Sequence, residues 1–115
     1  MSGLQMTEER DGDVLVFALG GRLDSGTAKD LEEALKQKLD AGEQVMLMDM
    51  EGLDYISSAG LRVVLLAAKR LRASDGRFGL SALKGEIRQV FEISGLLRIL
   101  TVFDTRAEAV VSLGS

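Results

Sequence analysis

The chain has 115 residues, 46% hydrophobic and 28% charged, with 14 Lys and Arg against 18 Asp and Glu for a formal charge of −4. It contains no His, Cys, Pro or Trp, which excludes disulfides, thiolate nucleophiles, zinc–thiolate sites, imidazole bases and Ser-His-Asp triads. The apolar content is too high for a disordered chain, and the acidic balance argues against binding nucleic acid through a basic face.

A single domain over residues 1–115 is expected at this length. The first residues, Met1 to Asp13, carry acids where a signal peptide needs a basic segment and an apolar core. The longest apolar runs, Val14 to Leu19 and Val63 to Ala68, fall far short of a membrane span. The expected setting is soluble and cytoplasmic, with no membrane or direct nucleic-acid partner.

Leu4 and Met6 alternate toward Asp11-Gly12, and Val14 to Leu19 follows. An Asp-Gly pair between apolar runs predicts a hairpin. The second run is continuous, as in a strand covered on both faces, and Gly20-Gly21 is expected to break it. Asp24-Ser25 is expected to cap a helix from about Gly26 to Ala41, with Ala28, Leu31, Leu35 and Leu39 on its buried stripe. Val45 to Met50 reads as a second buried strand, and Glu51 to Ile56 as a loop. Ser57-Ser58-Ala59-Gly60 opens a second, more buried helix that runs to about Ala73. Phe78 to Leu83 is a short strand, and Ile87, Val90 and Phe91 mark a helix ending near Ser94-Gly95. Leu97 to Phe103 is the last strand, after which Asp104 or Thr105 caps a C-terminal helix. Alternation of strands and helices after the hairpin predicts an α/β domain, a mixed sheet of about five strands with one antiparallel edge and about four helices.

Without His or Cys, chemistry would rest on hydroxyls, carboxylates, Lys or a partner's residues. Ser57 and Ser58 stand where a strand and loop hand over to a helix. Ser57 is placed to accept an amide as N-cap, and Ser58 sits in the first turn beside the positive helix end. A phosphate on Ser58 would meet amide donors there. Gly60 adds little bulk, which is expected to leave the hydroxyl approachable. The blander alternative is a plain capping pair.

Leu53-Asp54-Tyr55-Ile56-Ser57-Ser58-Ala59-Gly60-Leu61-Arg62 resembles the phosphorylation-site signature of the bacterial anti-sigma factor antagonists of the STAS-domain family. Gly21-Arg22-Leu23-Asp24, Ile93 to Leu96 and Phe103-Asp104 resemble other parts of the same family, so the likeness covers nearly the whole chain. It implies a non-enzymatic partner-switching protein. Unphosphorylated, such a protein binds an anti-sigma factor that is also a serine kinase of the GHKL type. That kinase then phosphorylates one serine, and a PP2C-type phosphatase restores it. The target serine of the family corresponds to Ser58; where many members carry Asp just before it, this chain has Ser57, and that departure makes Ser57 a secondary candidate. The partner surface implied comprises Asp24, Asp54, Tyr55, Ser57, Ser58, Ala59, Gly60, Leu61 and Arg62. The alternative role is a STAS subunit supporting an ABC-type transporter or another signalling assembly. An enzyme using Ser58 or a carboxylate pair ranks below both, for want of a base.

No cofactor is expected. Asp49, Glu51 and Asp54 form a D-x-E-x-x-D run that suits Mg²⁺ chemically, but a strand and a loop need not converge them. Met46, Met48 and Met50 are read as core or interface filler. Arg62, Lys69, Arg70 and Arg72 are read as a solvated basic face of the second helix.

Overall fold

The structure, a computed structural model, describes residues 3–114. Its elements in chain order are β1 (Leu4–Asp11), β2 (Val14–Leu23), α1 (Ala28–Asp40), β3 (Val45–Ile56), α2 (Ser58–Ala73) and β4 (Arg77–Ser81). There follow α3 (Gly85–Ile93), a 3-10 turn over Leu96–Arg98, β5 (Val102–Phe103) and α4 (Arg106–Leu113). The five strands form one sheet in sequence order, with β1 antiparallel to β2 and the remaining neighbours parallel.

Strand order that advances in one direction, with right-handed crossovers, places successive helices on one face. Side chains of α1, α2 and α3 accordingly share one core with Leu15, Phe17 and Leu19 of β2, and with Met46, Met48 and Met50 of β3. The opposite face of β2 sends Val14 and Val16 to a smaller core with Leu47, Ala109 and Leu113, which α4 covers. A strand buried on both sides needs apolar residues at every position, which explains the uninterrupted run in β2. The three methionines of β3 are fully buried, which makes them core residues.

Several boundaries differ from the sequence reading. Gly20 and Gly21 do not break β2; the strand continues through them to Leu23. Gly21 has a φ of +81°, and a Cβ there would lie 2.1 Å from the Gly3 carbonyl oxygen, so only glycine fits. Residues 51–56 are strand, not loop. The β2–β3 register shifts twice, from Ala18↔Asp49 to Gly20↔Gly52 and from Gly21↔Leu53 to Arg22↔Tyr55, each time with one extra residue on β3. Each bulge changes which parity faces inward, so the buried set passes from Met50 to Leu53 to Ile56. A strict two-residue period is therefore lost.

The segment expected as a long last strand folds instead as the 3-10 turn, leaving β5 only two residues. Gly95, at a φ of +79°, reverses the chain after α3, and Leu96 and Leu100 anchor the turn in the core. β4 likewise ends at Ser81, short of the expected Leu83. α1 begins at Ala28, later than expected, with Thr27 as its N-cap.

Candidate functional site

The carboxyl ends of β2 and β3 lie side by side, with Arg22 opposite Tyr55 and Leu23 opposite Ile56. The chain then leaves β3 directly into α2. The Ser57 amide donates to the Leu23 carbonyl at 2.9 Å, so the start of α2 is fastened to the end of β2. Ser57 is extended, at φ −96° and ψ 174°, and its Oγ accepts the Gly60 amide at 3.2 Å. It is therefore an N-cap, as expected, and its hydroxyl is engaged in holding the helix.

Ser58 is the first residue of α2 and is exposed, whereas Ser57 is half-buried. The exposed hydroxyl stands at the positive end of a 16-residue helix whose first turn holds no acidic residue. A negative charge at this place would gain from the dipole and meet no carboxylate of the same turn.

Gly60 contributes differently from the sequence expectation. It is buried, and a Cβ on it would lie 2.8 Å from Leu23 Cγ and 2.9 Å from Ile56 Cγ1. Its lack of a side chain lets α2 settle on the ends of β2 and β3, and it presents no surface to a partner. Ser58 is exposed while Gly60 is packed on Leu23 and Ile56, so the room that Gly60 leaves is taken up by the core.

The neighbouring turn between β2 and α1 is tightly built. Asp24 Oδ1 accepts the amides of Gly26 and Thr27, both at 3.0 Å. The Asp24 amide donates to Thr27 Oγ1 at 2.9 Å, and that hydroxyl donates to the Arg22 carbonyl at 2.9 Å. The Thr27 amide, chiefly, holds the Asp24 carboxyl below its ordinary range; the Thr27 hydroxyl, the Gly26 amide and Arg22 act in the same direction. Asp24 thus closes the turn that leads into α1, while Ser25, its expected companion, is exposed.

Arg22 and Thr27, which carry no chemical signal of their own in the sequence, also stand at this end of the sheet. The Arg22 guanidinium lies 4.2 Å from the centre of the Tyr55 ring, and its Nε lies 3.9 Å from Asp24 Oδ2. Arg22 thereby links two predicted surface residues, Tyr55 and Asp24, across two strands. Only the spacing Asp24-x-x-Thr27, a turn-closing pattern, hinted at Thr27. Tyr55 is 40% exposed, an unusual position for a large aromatic side chain. Asp54 and Arg62 are exposed, and Ala59 and Leu61 are half-buried. The fold therefore gathers Asp24, Tyr55, Ser57 and Ser58 at one end of the sheet, where two strand ends and a helix start converge.

Asp49 does not join Glu51 and Asp54 in a cation cradle. It is buried, and its Oδ1 accepts from Ser81 Oγ at 3.2 Å and from the Glu51 amide at 3.3 Å, while Glu51 and Asp54 are exposed. On the basic face of α2, Arg70 pairs with Asp40 of α1.

The sequence matches the STAS domain family over residues 5–109. It is 44% identical over 106 residues to BtrV of Bordetella bronchiseptica, named as a candidate anti-sigma factor antagonist, covering 92% of this chain and 91% of that one. It is 31% identical over 101 residues to the anti-sigma-B factor antagonist of Listeria monocytogenes, covering 88% and 89% of the two chains. Among solved structures, one of a candidate anti-sigma factor antagonist from Thermotoga maritima superimposes with a TM-score of 0.91 at 21% identity, covering 96% of this chain and 95% of that one. Bacillus SpoIIAA in its phosphorylated form superimposes with a TM-score of 0.75 at 24% identity, covering 94% and 98%. A hairpin followed by parallel strands, a serine-capped helix at the strand ends and this extent of matching lead to one assignment: the chain belongs to the STAS-domain family of anti-sigma factor antagonists.

Proposed function

We propose that this protein is an anti-sigma factor antagonist that switches partners through Ser58. Unphosphorylated, it binds an anti-sigma factor that is also a GHKL-type serine kinase. Phosphorylation of Ser58 releases it, and a PP2C-type phosphatase resets it. The observation that carries this reading is the division of labour between two adjacent serines: Ser57 Oγ is bonded to the Gly60 amide, and Ser58 is exposed at the helix start. That supports modification of Ser58 ahead of Ser57.

The energetics favour a local switch. A neutral hydroxyl enters a protein interface at little cost when hydrogen-bonded. A phosphate carries nearly two charges, and leaving buried interfacial charge unpaired costs roughly 2–5 kcal/mol. A penalty of about 3 kcal/mol already weakens binding ~100-fold. SpoIIAA has been solved in both phosphorylated and unphosphorylated forms, so this fold accommodates both states. Asp24, Asp54, Tyr55, Leu61 and Arg62 frame the docking surface, with Arg22 added to it.

Relatives at 30% identity or more are named for sigma-factor regulation, which favours this role over support of an ABC-type transporter. The test is to incubate the chain with GHKL-type serine kinases and Mg-ATP and to map phosphate by mass spectrometry. Phosphate on Ser58, binding kept in Ser58→Ala and lost in Ser58→Asp, is the expected result. Wild-type affinity in Ser58→Asp would refute the switch, and co-purification with a transporter ATPase would support the other role.

A further inference from the structure

Ser58 and Arg62 stand one helical turn apart at the start of α2, and both are exposed. Residues at i and i+4 share one face of a helix, with Cβ atoms about 5–6 Å apart. Helical side chains lean toward the N-terminus, so a long side chain at position 62 can cover the turn that begins at Ser58. Arg62 takes part in none of the ion pairs found among the described residues, and neither do Glu51 and Asp54, the exposed acids of β3.

The other cations are engaged or farther off. The Arg22 guanidinium lies 4.2 Å from the centre of the Tyr55 ring, with its Nε 3.9 Å from Asp24 Oδ2. Arg70 pairs with Asp40. Lys69 stands about 16 Å from Ser58 along the helix at ~1.5 Å per residue, and Arg72 farther still. Lys84 precedes α3, after the next strand. Arg62 is thus the cation one turn from the serine, on its own face and without an acid of its own.

Ser58 is uncharged, so nothing draws Arg62 back until the hydroxyl is modified. A phosphate brings nearly two negative charges and three acceptor oxygens. An anion on the N-terminal side of a cation at i,i+4 is the favoured order, and a guanidinium fork can meet two phosphate oxygens at once. The amides of Ser58 and Ala59 precede the first helical bond, from the Leu61 amide to the Ser57 carbonyl, and attract the same group.

We infer that Arg62 holds the phosphate of modified Ser58, folding back one helical turn to close an ion pair that the unmodified chain lacks. This role rests on the reading of Ser58 as the modified residue. Phosphorylation then changes the docking surface twice. It adds charge at Ser58, and it takes up a guanidinium that the unmodified surface presents to a partner. The altered patch spans a full turn of α2 without any backbone rearrangement.

The test uses the full chain with phosphoserine placed at position 58 by genetic encoding, so no kinase is needed. Its ³¹P resonance is titrated at low salt from about pH 4 to 8, across the second phosphate ionisation. Arg62→Gln is expected to raise the midpoint by at least ~0.3 pH unit, a twofold change in proton affinity, and Lys69→Gln, which removes the same charge farther along α2, to leave it within ~0.1 unit. The Arg62 Nε–H resonance is expected to move with the phosphate midpoint and to stay still over the same range in the unmodified chain. Equal midpoints in wild type and Arg62→Gln, an Nε–H resonance that ignores the phosphate, or a larger effect from Arg22→Gln or Lys84→Gln would overturn the role of Arg62. Wild-type kinase affinity in the phosphoserine chain would refute the partner switch alone, since the titrations decide the ion pair without any partner.

Discussion

The Ser57 amide donates to the Leu23 carbonyl at 2.9 Å, joining the first residue after β3 to the last residue of β2. That bond brings the start of α2 next to the β2–α1 turn, and it makes a sequence-distant pair, Asp24 and Ser58, part of one surface. Gly60 completes the junction by leaving room for Leu23 and Ile56.

Gly60→Ala tests that junction. The added methyl would meet two core side chains at under 3 Å, an overpacking that costs about 1–3 kcal/mol. The helix preference for Ala over Gly returns up to ~1 kcal/mol. A net loss of about 1–2 kcal/mol is expected in urea unfolding, with the largest amide shifts at Leu23, Ile56 and Ser58. Unchanged stability would show that α2 does not need this close approach.

The two serines should separate cleanly by stability. Ser57→Ala removes the acceptor of the Gly60 amide and is expected to cost about 0.5–2 kcal/mol. Ser58→Ala removes an exposed hydroxyl and is expected to stay within ~0.5 kcal/mol of wild type. Thermal melts of both variants side by side check the assignment.

Ser58→Asp should move stability and binding in opposite directions. A carboxylate in the first turn of α2 interacts favourably with the helix dipole, worth about 0.3–1 kcal/mol at low salt. The same charge is expected to weaken kinase binding ~100-fold, about 3 kcal/mol. A gain in melting temperature together with loss of binding by calorimetry would identify a local blockade. Loss of both would point to unfolding of the helix start.

Asp24 should leave a mark on the acid side of the stability profile. The Thr27 amide, first among its donors, lowers its carboxyl pKa in the folded chain. A depressed folded pKa contributes stability that is complete above the unfolded value of ~3.9 and is lost as pH falls through the folded value. Asp24→Asn keeps an oxygen acceptor and removes the titration. The stability gap between wild type and variant is therefore expected to change between pH 5 and the acid limit and to be flat above it. Carboxyl-carbon NMR of Asp24 should show its midpoint below the ordinary aspartate value.

Much of the architecture follows from local rules that the residues carry by themselves. Asp11-Gly12 specifies the first hairpin, Leu31 and Leu35 mark the buried stripe of α1, and the Ser57 cap opens α2, all within reach of one turn or one helical repeat. The serine signature likewise lies in consecutive residues, so the candidate site was visible in outline.

What the tertiary structure decided are the features set by strands and helices distant in sequence. The two bulges of β3 exist relative to β2, and they turned an expected loop into strand. The 3-10 turn replaced most of the expected last strand because Leu96 and Leu100 find the core by turning, not by extending. Gly60 is a packing residue because Leu23, 37 positions earlier, occupies the space a side chain would need. Hydrogen-bonding and helical periods act over a few residues, and their partners can be read from the sequence. Register, close approach and the sharing of one surface depend on which distant segments meet, and only the folded chain fixes that.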